Sequence, residues 1–119
     1  MREHSSQEIN DFRKKDMVPF NGALDLISGK WKMNILYALS VLGTMRYGEI
    51  QRVLGKVTHR VLANKLKELE ENNLIKRTVY PEIPPKVEYS ITDKGKSLLP
   101  ILKQICDWGR EHENLSKEK

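Results

Sequence analysis

Apolar residues recur along this chain with a helical spacing, then a strand-like one, then a helical one again, and the changes mark out its elements. Over residues 31–42, Trp31, Ile35, Leu39 and Leu42 share one face, Leu36 widens it and Gly43 ends the run. A shorter helix is predicted over 22–27, stopped by the turn chemistry of Ser28 and Gly29. A third, over 47–54, turns Ile50, Val53 and Leu54 inward and stops at Gly55, while Met45 to Tyr47 can pair as one short strand. From Thr58 to about Asn72 the pattern is sharpest. At 100° per residue, Leu62, Leu66 and Leu69 fall within about 60° of one another and face a core. Thr58 is suited to cap that helix, and "ENNL" ends it because asparagine tolerates the left-handed conformation.

The spacing then changes. Ile75 to Tyr80 and Val87 to Ile91 are rich in strand-forming residues, and "PEIPP" between them has three prolines that deny a helix. The remainder, "TDKGKSLLPILKQICDWGREHENL", predicts a long helix capped by Thr92 and bent or begun afresh near Pro100. Leu98, Leu102 and Ile105 line one side of it, and Ile101, Cys106 and Trp108 spread the apolar stripe. That stripe is wider than one subunit's core needs, so one side should bury against a second copy. Cys106 is expected to pack as a small hydrophobe, and Trp31 and Trp108 as anchors. Residues 1–16 read as a flexible arm, 17–112 as one domain and 113–119 as a tail. Two short helices joined by a tight turn and followed by a β-hairpin make a winged helix-turn-helix, mainly α with a small β wing.

Charge sharpens this picture. The span from Lys30 to Tyr80 holds ten Lys/Arg against four acidic residues, whereas the rest holds eleven against twelve. A basic middle between near-neutral ends points to a polyanionic partner. Opposite the leucines of the 58–72 helix lie Arg60, Asn64, Lys67 and Glu71. Arginine can donate twice to guanine and asparagine can pair with adenine in a major groove that admits one helix. In such docking the N-terminal end, here Thr58, His59 and Arg60, approaches the bases. Lys65, Arg52, Lys56, Arg77 and Lys86 are the candidate phosphate contacts, with Tyr80 to Lys86 as the wing.

Other chemistry finds little support. A single cysteine rules out an intrachain disulfide, three scattered histidines suggest no metal site, and His59 has no second ligand at helical spacing. Asp93, Glu82 and Glu88 offer no convincing catalytic pair, and there is no nucleophile motif or phosphate-binding glycine loop. No enzyme activity, cofactor or metal is expected. With no apolar run of membrane-spanning length and no signal-peptide core in "MREHSSQEINDFRKKD", the chain is expected to be cytoplasmic.

The segments "ALDLISGKWKMNILYAL", "MRYGEIQRVL", "THRVLANKLKELEENNLIKRTVYPEIPPKVEYSITDKGKSL" and "ILKQICDWG" resemble, in order and spacing, the HxlR-type winged-helix transcriptional regulators of bacteria and archaea. The resemblance covers about residues 17–109. It implies a homodimer joined through the N-terminal and last helices, including Leu98, Leu102, Ile105 and Trp108. It also implies an inverted-repeat operator in double-stranded DNA, with the helix after Thr58 in a major groove and the wing on the backbone. Relatives that sense oxidants carry a cysteine before the first helix; Met17, in "MVPF", stands at that place and cannot form a thiolate. Two alternatives stay open: a winged-helix protein-interaction adaptor, and a regulator whose main business is redox sensing or an unidentified small-molecule effector.

Overall fold

The computed structural model describes residues 3–113. In chain order its elements are α1 (Ser6–Phe12), a π-helical stretch (Arg13–Met17), α2 (Val18–Ile27), α3 (Lys32–Leu42), α4 (Tyr47–Leu54), α5 (His59–Glu71), strands β1 (Ile75–Tyr80) and β2 (Lys86–Ile91), α6 (Asp93–Lys96) and α7 (Leu99–His112). The fold is mainly α with a two-stranded antiparallel wing. No described helix is long and apolar enough to cross a membrane.

The core sits where α3, α4, α5 and the base of the hairpin meet. Ile35, Leu36, Leu39, Ile50, Leu62, Leu69 and Leu74 are fully buried there, joined by Leu66, Ile75 and Tyr89. The strands pair from Ile75 opposite Ile91 to Tyr80 opposite Lys86, so the wing's register runs unbroken to its proline tip. Met45 forms a single bridge to Tyr89, with N–H···O distances of 3.0 and 2.8 Å, tying the hairpin to the start of the helix-turn-helix.

Both ends of α5 are held by side chains. Thr58 Oγ1 accepts from the Val61 N–H at 3.2 Å, satisfying one orphan donor of the first turn. At the other end Asn73 takes the left-handed conformation, φ 60°. The Thr92 hydroxyl donates to the Asn73 carbonyl at 2.6 Å, and Lys94 Nζ donates to the Asn72 carbonyl at 2.8 Å. A cation on free carbonyls at a helix C-terminus is doubly favourable. Thr92 also caps α6, accepting from the Gly95 N–H at 3.0 Å. The last helix then begins afresh at Leu99, with Pro100 in its first turn, where a missing N–H costs nothing.

Four expectations are corrected. Residues 6–16, expected as a flexible arm, are helical: Ser5 and Glu8 form a reciprocal capping box, and the run continues through the π stretch into α2. The helix expected at 22–27 therefore starts earlier, with Pro19 in the first turn of α2. Leu42 and Val53, expected inward, are largely exposed on α3 and α4. Cys106, expected to be buried, is exposed, as are Ile101, Ile105 and Trp108; among described residues α7 buries none fully. Leu98 and Leu102, by contrast, pack against their own core. Most of the tail expected at 113–119 lies outside the described residues.

Candidate nucleic-acid interface

The outer face of α5 is the chemically distinctive surface. With Leu62, Leu66 and Leu69 buried, Arg60, Asn64 and Lys67 are exposed on the far side, and Ala63 between them leaves the helix surface low. None of the three side chains has a hydrogen bond or ion pair among the described residues, so their donors remain available. Thr58 and His59, at the same helix's start, are also exposed, as are Arg52 and Lys56 on the approach from α4.

Two of the expected phosphate contacts are differently placed. Lys65 points along the flank of α5, half-buried, and its ammonium lies 3.2 Å from Glu68 Oε1. The same carboxylate oxygen lies 3.6 Å from the ammonium of Lys32, a side chain of α3 that is itself nearly buried. The Lys65 hydrogen bond does most to hold the Glu68 carboxyl below its ordinary range; desolvation opposes it, and the charges of Lys32 and Lys65 reinforce it. Glu68 thus joins α5 to α3 and occupies Lys65 while doing so.

Lys86 is also engaged. Its ammonium is 3.4 Å from Glu88 and stands over the Tyr80 ring at 5.0 Å. Glu88 accepts from the Tyr80 hydroxyl and pushes that phenol up from its ordinary range. The pairing register places Arg77 opposite Tyr89 and Lys86 opposite Tyr80, on opposite faces of the ribbon. Arg77 and Lys86 cannot lie in one flat contact with a phosphate backbone. Lys76, exposed on the Lys86 face, is a candidate that the sequence reading passed over.

Tyr47 was missed as well. It begins α4, and its phenol oxygen reaches both the ring and the backbone of His59 at the start of α5. The two rings stack with centroids 5.7 Å apart and planes 6° from parallel. The pair fastens the two helices of the motif together, and nothing in a spacing of twelve residues announces it.

The HxlR-like helix-turn-helix family model matches residues 26–117. The chain belongs to that family. An uncharacterised HTH-type transcriptional regulator of Halalkalibacterium halodurans is 50% identical over 96 residues, 81% of this chain and 85% of that protein. The reduced form of the redox regulator HypR superposes with a TM-score of 0.76 at 39% identity, covering 82% of this chain and 95% of that one. A structure from Enterococcus faecalis V583, assigned to the MarR family of transcriptional regulators, gives 0.75 at 38% identity, covering 84% and 90%. This HxlR-like chain is a transcriptional regulator with a helix-turn-helix DNA-binding domain. The relatives it matches carry the name of transcriptional regulators.

Proposed function

We propose that this protein is a homodimeric, sequence-specific DNA-binding regulator that places α5 in the major groove of an inverted-repeat operator. The observation that carries the reading is the Arg60–Asn64–Lys67 face, unpartnered among the described residues and set opposite a buried leucine row, with Arg52 and Lys56 exposed on the preceding helix and turn. An adaptor would present an apolar or acidic face there. Arg60 and Asn64 have the donor geometry to read bases, and Lys67, Arg52 and Lys56 to meet phosphate. Lys65 is left out of the contact set because Glu68 holds it. The wing, Tyr80 to Lys86, approaches the backbone with Lys76 and Lys86, the latter tempered by Glu88.

Dimerisation is assigned to α1–α2 and to the exposed side of α7, Ile101, Ile105 and Trp108; Leu98 and Leu102 support that side from the subunit's own core. Acting on the chromosome, such a regulator works in the cytoplasm. Redox sensing through the N-terminal position is not part of the reading, since Met17 has no thiol. A salt titration of binding to duplex DNA tests the core of it. Affinity should fall steeply with salt, because several Lys/Arg displace counterions; a flat response, or no binding at low salt, would favour the adaptor.

A further inference from the structure

One arrangement of protons makes hydrogen bonds of both contacts between Tyr47 and His59. The phenol oxygen of Tyr47 lies 3.0 Å from His59 Nδ1 and 3.2 Å from the His59 carbonyl oxygen. A phenol has one proton to give and can also accept, whereas a carbonyl oxygen only accepts. The 3.2 Å contact is therefore a hydrogen bond only when the phenol donates to the carbonyl. The Nδ1 contact then needs a proton on Nδ1, donated to the phenol oxygen. The reverse assignment, with the phenol donating to Nδ1, would leave two acceptor oxygens facing one another with no proton between them. In a neutral imidazole both contacts require the Nδ1–H tautomer, whose other nitrogen carries a lone pair. That nitrogen, Nε2, has no partner among the described residues, and the ring is exposed at the N-terminal end of α5, beside Arg60.

Resting on the placement of α5 in a major groove, we propose that Tyr47 fixes His59 as a hydrogen-bond acceptor at Nε2, which reads an exocyclic amino group, adenine N6 or cytosine N4. Those are the donors on the major-groove edge; guanine N7 and O6 and thymine O4 are acceptors and would oppose the Nε2 lone pair. Tyr47 is then a positioning residue that sets specificity without touching DNA, and His59 does the reading. The neighbouring Arg60 has the opposite polarity, so two adjacent side chains would demand opposite chemistry from the bases they face.

Nitrogen-15 NMR of the free full-length protein, with its imidazoles neutral, reads the tautomer directly, and His59→Gln assigns the signal among the histidines. Expected is a protonated Nδ1 and an unprotonated Nε2; a protonated Nε2 overturns the proposal whatever the DNA does. Selection of bound duplexes from a random pool then compares wild type, Tyr47→Phe and His59→Gln. Wild type should prefer adenine or cytosine over guanine or thymine about tenfold at one position of each half-site, within the range for a single base contact. Tyr47→Phe should level that position and leave the others intact, whereas a purely structural role would weaken all positions together. The same preference in Tyr47→Phe, or a preference for guanine, overturns the proposal. The expected tautomer with no enriched sequence at all overturns the reading role through the major-groove placement on which it rests.

Discussion

Lys65 and Lys67 are two residues apart on one helix, and the structure gives them different work. Lys67 projects from the exposed face with no partner among the described residues, while Lys65 is drawn to a carboxylate that also answers the nearly buried Lys32. Lys67→Ala should therefore lower the slope of log affinity against log salt by about 1 and weaken all sequences alike. Lys65→Ala should leave that slope unchanged; equal losses of slope would show that the Glu68 pairing is broken on DNA. Arg60→Ala should cost about 1–3 kcal/mol on the preferred site and relax one or two base positions, as read by competition against altered duplexes.

Glu68 makes a prediction in pH. Because its carboxyl is held below the ordinary range, the stability it contributes is present above the unfolded carboxylate's pKa. It is lost as pH falls through the lower folded value. Denaturation midpoints of Glu68→Gln should lie below wild type at neutral pH, where Lys32 loses its counter-charge, and the gap should close in acid. A gap independent of pH would contradict the ion-pair account. This network was not legible in the sequence, since the spacing of α5 fixes its own faces but not which side chain of α3 comes to lie beside Glu68.

Among the elements, α5 and the hairpin are the ones the sequence spells out. A leucine row with a threonine cap and a paired-asparagine stop leaves little choice, and three prolines between two strand-like runs leave less. The N-terminal helix was harder, because Ile9, Phe12, Phe20 and Leu24 have no core of their own to declare a face. Its capping box, Ser5 with Glu8, was the one local signal. Cys106 was misplaced for a related reason: an apolar residue at helical spacing looks like core in sequence whether or not its own chain covers it. The short α6 supplies a sharper test of packing. A Cβ at Gly95 would run into the Leu74 carbonyl oxygen and come within 2.7 Å of Ile91 Cγ1, where the turn between α5 and β1 meets the end of β2. Gly95→Ala should destabilise by roughly 1–3 kcal/mol, the usual cost of overpacking, in a denaturant titration; a neutral result would mean that the turn between α5 and β1 yields to the added methyl.

The described residues are extended rather than compact. Their radius of gyration is 18.3 Å with extents of 68 × 35 × 25 Å, whereas a compact chain of this length has about 13–14 Å. The rod formed by α1, the π stretch and α2 is about 33 Å long and buries none of its residues. Phe12, Phe20, Ile105 and Trp108 are each more than half exposed. Full burial of a large apolar side chain is worth roughly 1.5–3 kcal/mol, and dimerisation would recover the part of it that each of these has still to gain. Ile105→Glu should give monomers in sedimentation that lose operator affinity although the face of α5 is untouched, and a dimer that survives the substitution would move the interface elsewhere. With methionine at position 17, diamide should leave DNA binding unchanged; release by diamide would make the exposed Cys106 the sensor.

The central claim is that two copies of α5, held at a set distance, read a symmetric site. Its most direct test is selection by the purified wild-type chain from a pool of random duplexes, followed by sequencing of the retained fraction. The account predicts an inverted repeat whose half-site centres are separated by about one helical turn or a multiple of it. Retention without an enriched sequence, or an enriched site lacking twofold symmetry, would contradict it.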